Sequence, residues 1–169
     1  MILCIRNIKY FLIFILVVTV FLKSTGQNRL TISSTRSVSL DFKPLYQAGQ
    51  PTRFLVDDSK WLNYTILVKP NEPACSISVQ ISSGMIPEGI DIKLKASPYI
   101  GTSQGDPGTP TGEISISHVP QVLIENIGTS YTGAGAKIGH QLTYSVNIKD
   151  YERLQAVGSS IYLLFTIGQ

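Results

Sequence analysis

From Cys75 to Ser82 the chain reads CSISVQIS, apolar and polar by turns without a fault. Cys75, Ile77, Val79 and Ile81 face one way, and Ser76, Ser78, Gln80 and Ser82 the other. That is the signature of an antiparallel strand with one face on a core and one in water. The pattern returns in IDIKLKA, where Ile90, Ile92, Leu94 and Ala96 oppose Asp91, Lys93 and Lys95, and in QLTYSVNIK, with Leu142, Tyr144, Val146 and Ile148 in phase. WLNYTILVK aligns Leu62, Tyr64, Ile66 and Val68, with Trp61 and Leu67 adding bulk opposite. The closing SSIYLLFTIGQ aligns Ile161, Leu163, Phe165 and Ile167. EISIS and QVLIENI flank HVP, where Pro120 interrupts the ladder. RLTIS and SVSLDF are weaker candidates joined by polar STR, and DYERLQAVG has room for one helical turn. The reading is eight or nine strands in one all-β domain, split by Gly, Pro and Ser turns such as SGMIPEG, where Pro87 and Gly89 fit a type I turn. The longest crossing, Ser97–Gly112, is too rich in Gly and Pro for either regular state. Long crossings between short strands suit a two-sheet Greek-key β-sandwich.

The first residues stand apart from this pattern. Arg6 and Lys9 precede an apolar run of 13 residues, Tyr10–Leu22. That is the length of a signal-peptide core and short of the roughly 20 residues a spanning helix needs. Ser24 and Gly26 are small residues at the −3 and −1 positions of a cut before Gln27. The expected layout is a signal peptide, with its helical core, over residues 1–26 and a β-sandwich domain over residues 27–169, exported and without a membrane span after cleavage. The expected location is the periplasm, the outer-membrane surface or the extracellular space. All three charges of the leader are basic, so the remaining chain carries 11 Lys and Arg against 11 Asp and Glu. No clustered positive field for nucleic acid remains. Cys4 leaves with the leader, so Cys75 has no partner for an intramolecular disulfide, and its phase with Ile77 and Val79 marks it as a small buried hydrophobe.

The stretch GTSYTGAGAKIGHQLTYSV, Gly128–Val146, invites a search for chemistry. A dinucleotide loop needs G-x-G-x-x-G between a strand and a helix; here Gly133 and Gly135 are followed by Gly139, one residue late, and then by a strand. A nucleoside-triphosphate loop needs Lys after its second glycine, and Gly133 leads into Ala134. The stretch therefore reads as a long connection between two strands, its glycines serving positive φ or close backbone approach. Tyr131 within it either packs over one end of the core or stands exposed on a binding rim. His118 and His140 sit at strand edges or loop ends with no second ligand at metal spacing, so no metal or other cofactor is expected. No catalytic constellation is singled out among the serines and acids, and the expectation is a protein that is not an enzyme. Asp57 and Asp58 read as a solvated turn, with too few oxygens nearby for calcium. Asn63–Thr65 matches a glycosylation sequon but lies within a strand pattern. Trp61, Tyr46, Tyr99 and Tyr131 are the aromatics that a sugar-stacking platform would use, although core packing is the commoner role.

The blocks ISVQISSGMIPEGIDIKLKA and IENIGTSYTGAGAKIGHQLTYSV, with a last strand at the C-terminus, resemble small secreted β-sandwich proteins of Bacteroidota. More loosely, the chain is similar to pilin-like or fimbrial surface subunits, which are single immunoglobulin-like domains with a leader. It departs from many of these in having no cysteine pair and no clear detached donor strand. The resemblance implies an exported structural or adhesive surface protein acting through protein–protein contacts, with self-association or a protein partner at edge strands. The alternative is a carbohydrate- or ligand-binding module that uses the 97–112 and 128–140 loops as a rim, with Tyr99, Tyr131 and His140 as contacts. The segment from Gln27 to Phe42 either pairs with its own sheet or adds to the edge of a neighbour.

Overall fold

The computed structural model describes residues 28–33, 38, 55–154 and 160–169. The leader with its cleavage point, SVSLDF apart from Val38, and Tyr46 lie outside the described residues. Among these residues there are eleven strands: β1 (Arg29–Ser33), β2 (Leu55–Ile66), β3 (Cys75–Ser83), β4 (Ile90–Ala96), β5 (Gln104–Gly105), β6 (Thr109–Pro110), β7 (Glu113–Ser115), β8 (Gln121–Ile127), β9 (Ser130–Tyr131), β10 (His140–Ile148) and β11 (Tyr162–Gly168). None of the described residues is helical, and Tyr151–Leu154 form a turn. The long alternating segments fall where the sequence puts them. The additional strands β5, β6 and β9 are two-residue pairings inside the glycine-rich connections, too short for a period of two to reveal.

All pairings are antiparallel and form two sheets. The larger has the order β5-β9-β2-β10-β4-β7, with β1 paired to β2, and the smaller has the order β11-β3-β8-β6. Their inner faces share one apolar core, as in a β-sandwich. Leu62, Tyr64, Ile66, Leu94, Ala96, Leu142 and Tyr144 come from the large sheet. Cys75, Ile77, Val79, Ile81, Leu123, Ile124 and Ile127 come from the small one. Consecutive β3 and β4 lie in different sheets, so the Pro87–Gly89 turn carries the chain across rather than closing a hairpin. The segment RLTIS pairs with the chain's own β2, Leu30 opposite Tyr64 and Ile32 opposite Leu62.

Two irregularities shape the sheets. In β8, pairing with β3 slips by one residue at Glu125–Asn126 and again at Leu123. Asn126 takes a φ of 56° there, a region Asn tolerates better than most side chains. The extra residues let Leu123, Ile124 and Ile127 all point inward, which strict alternation forbids. In β2, Lys60 opposes Leu142 and Asp57 opposes Tyr144, leaving Asp58 and Ser59 across from Thr143 alone. The Asp57–Asp58 pair therefore leads into a β-bulge at Asp58–Ser59 of a long strand, not the solvated turn its composition suggests. The turn chemistry is real but local: Asp57 Oδ1 accepts from Ser59 N at 2.8 Å and Ser59 Oγ at 2.6 Å. Burial opposes the Asp57 charge, yet the Ser59 bonds and nearby Lys60 outweigh it and hold the carboxyl below its ordinary value.

Candidate functional site

The 97–112 and 128–140 loops meet at one end of the sandwich. Ile100 bridges Gly139 through reciprocal backbone bonds of 2.9 Å, and β5 pairs with β9. Beneath them lies a buried polar cluster. His140 opens β10 on the same face as Leu142 and opposite Leu62, and it is 0% exposed. Gly139 admits it: its φ is +98°, and a Cβ there would strike the Leu62 carbonyl. His140 Nδ1 donates to Ser97 O at 2.8 Å, and its Nε2 lies 2.9 Å from the Tyr64 hydroxyl. The Tyr64 hydroxyl in turn donates to Pro107 O. Two carbonyls end this chain, so neutral His140 and Tyr64 supply two protons for three contacts, and Tyr64 shares its one hydrogen between Pro107 and the ring. Burial pushes the His140 pKa below its ordinary value, against the pull of the Ser97 and Pro107 carbonyls. The Tyr64 ring stacks on the imidazole, centroids 5.7 Å apart, and Tyr99 meets it edge-on at 5.8 Å. Tyr99 also donates to Thr132 O, while buried Thr132 Oγ1 accepts from Tyr64 N at 2.8 Å.

The outer face of the large sheet presents a different surface. Gln104 on β5 opposes Tyr131 on β9, Tyr131 opposes Thr65 on β2, and Thr65 opposes Arg29 on β1. Side chains at directly opposed positions share a face. All four are exposed, Tyr131 to 47%. Tyr131 is thus exposed and not packed over the end of the core. A shallow open groove of about 480 Å³ runs past Lys95, Pro98, Tyr99, Thr109 and Pro110.

The edges of the sheets differ in chemistry. The edge strands β5 and β6 are two residues long, β6 containing Pro110, and β7 has three residues with Glu113 paired to Lys93 at 2.7 Å. β1 carries Arg29. These are the usual ways of blunting an edge. β11 has none of them: YLLFTIG is seven residues without charge or proline. Its outward Tyr162 and Leu164 are 64% and 46% exposed. Its inward Leu163, Phe165 and Ile167 are only partly buried, whereas the inward residues of neighbouring β3 are fully covered.

Of the three contact residues expected from the sequence, Tyr131 is exposed, Tyr99 is half-buried against His140, and His140 has no accessible surface. Trp61 is largely buried, so it does not join exposed Tyr131 in one platform. The sequon residue Asn63 is buried, accepting from Ser33 Oγ at 2.5 Å and donating to Ile138 O at 2.6 Å. Gly101–Gly105, GTSQG, has the spacing of a nucleophile elbow and escaped the sequence reading. Its context is wrong for one: Ser103 lies between the Ile100 bridge and β5, with no helix after it, and neither histidine bonds it. Phase with Leu142, Tyr144 and Val146 was the overlooked signal for His140. No family model, curated protein or solved structure matches this chain.

Proposed function

We propose that the protein is an exported, non-enzymatic structural or adhesive surface protein of the secreted Bacteroidota type. In this reading it is a Greek-key, immunoglobulin-like domain that assembles through protein–protein contacts in the manner of a pilin-like subunit. Export rests on the leader sequence. The assembly reading rests on β11, which among the described residues is a long, uncharged edge with a half-covered apolar stripe. Adding a strand would pair its free backbone groups and complete the burial of Leu163, Phe165 and Ile167. A second copy suits this edge: two antiparallel β11 strands bring no like charges together and put apolar residues opposite apolar residues. The test is Leu164→Lys, a substitution at an exposed position that places charges on both sides of such a pair. Sedimentation velocity over a wide concentration range should show self-association of the parent and a monomeric variant with an unchanged melting temperature. A parent that stays monomeric throughout, or a variant that associates equally, overturns the reading.

A further inference from the structure

We infer that the outer face of the large sheet carries a second site, independent of the β11 edge, which binds an oligosaccharide bearing a carboxylate, with Tyr131 as its stacking surface and Arg29 as its ion-pair donor. The four-strand row Arg29, Thr65, Tyr131, Gln104 carries the inference. It offers one half-exposed aromatic ring, a hydroxyl, a primary amide and a guanidinium on one flat face. A sugar lays its apolar C–H face on such a ring while its hydroxyls meet the flanking polar groups. The row itself has no aliphatic anchor of the kind a protein partner would need; among the described residues, exposed Leu67 follows β2 beside it.

Charge selects the kind of sugar. Arg29 is the only charged member of the row and has no ion pair among the described residues. Asp106, next along the chain from β5, is turned away to accept from Gly108 N at 3.1 Å. An unpaired guanidinium favours a planar carboxylate, which it can grip with two parallel hydrogen bonds. Arg29 stands two strands, about 10 Å, from Tyr131. A disaccharide covers that span with one ring stacked on Tyr131 and the next at the guanidinium. The row is also held in place. Asn28 Oδ1 accepts from Leu67 N at 3.0 Å, fixing the start of β1 on the end of β2. Thr129 Oγ1 bonds both Val68 N and Val68 O, fixing the approach to β9.

The experiment is a glycan microarray carrying uronate- and sialate-containing oligosaccharides beside their neutral counterparts, probed with the purified protein. Selective binding to acidic glycans is expected. Tyr131→Ala should weaken it by about fivefold or more through the lost stacking. Arg29→Gln should remove the preference, bringing acidic and neutral forms to within about twofold. Tyr151→Ala, an exposed tyrosine in the turn after β10, should change nothing, and melting curves should show all variants folded. No binding to any acidic glycan, binding unaffected by Tyr131→Ala, or an acidic preference that survives Arg29→Gln would each overturn the inference. The β11 reading is untouched by any of these results, because Leu164→Lys reports on assembly and not on this face.

Discussion

Tyr64→Phe removes one oxygen and no packing volume, so it isolates what the buried polar cluster contributes. The hydroxyl it deletes is hydrogen-bonded to Pro107 O and to Nε2 of His140. His140 is fully buried, so its Nε2 would keep no partner and no water. Pro107 is partly accessible, so its carbonyl is re-solvated in part. Stranding a buried acceptor costs about 1–3 kcal/mol, and the lost net hydrogen bond adds about 1 kcal/mol. A loss of about 2–4 kcal/mol follows, which with a typical urea m-value near 2 kcal/mol/M lowers the unfolding midpoint by about 1–2 M. Tyr144→Phe is the internal control. Tyr144 is nearly as buried, and burial raises its phenol pKa as it does that of Tyr64, but its hydroxyl makes no hydrogen bond among the described residues. Its removal should shift stability by no more than about 0.5 kcal/mol. Urea titrations followed by circular dichroism and by fluorescence measure both. Equal losses in the two variants, or a Tyr64→Phe protein as stable as the parent, would refute the role given to the cluster.

Two further outcomes follow from buried groups. Cys75, 1% exposed on β3, should resist thiol reagents until the protein unfolds, and Cys75→Ser should cost about 1–3 kcal/mol by burying a hydroxyl among apolar neighbours; fast labelling of the folded protein would contradict this. Because burial holds the His140 pKa below the ordinary 6.5, the unfolded chain takes up a proton there more readily than the folded one. The stability tied to neutral His140 is thus fully present above that value and declines as pH falls through it toward the lower folded value. Melting temperatures from pH 8 to 5 should fall in that window for the parent and less steeply for His140→Gln, and an unchanged slope in the variant would place the dependence elsewhere.

Much of the fold is legible because alternation is a local property. CSISVQIS and QLTYSVNIK each declare an inner and an outer face, and the structure keeps those faces; IDIKLKA departs at Asp91, which is buried with Ser115 and Lys149 as partners. Bulges are less legible. In QVLIENI one inserted residue reverses every later side chain, so Leu123 and Ile124 are both buried where the period allows only one. His140 was legible in principle, two residues before Leu142 and in its phase, but the preceding glycines make it read as a loop end. The outer-face row was beyond local reading. Arg29, Thr65, Gln104 and Tyr131 are distant in sequence and become neighbours only once the register of four strands is set.

The two ends of the chemistry then divide between the two sheets. The large sheet ties its loops with side chains that reach far along the sequence: Asn63 to Ile138 across 75 residues, Tyr64 to Pro107 across 43 and His140 to Ser97 across 43. Thr129 reaches Val68 across 61. Each such bond closes a long loop, and closure entropy grows slowly with length, so several act together at modest cost. That fixes the strands beneath Tyr131 and Arg29, which a sugar site needs because a loose platform spends binding energy on ordering itself. The outer strand of the small sheet has a plainer attachment. Among the described residues β11 is held by its ladder to β3, and one side-chain bond, Ser82 Oγ to Tyr162 O at 3.1 Å, crosses between the two strands. An edge held on one side keeps backbone groups free for a partner. The tied face suits recognition of a small, polar ligand, and the free edge suits assembly; a variant at one should leave the other intact.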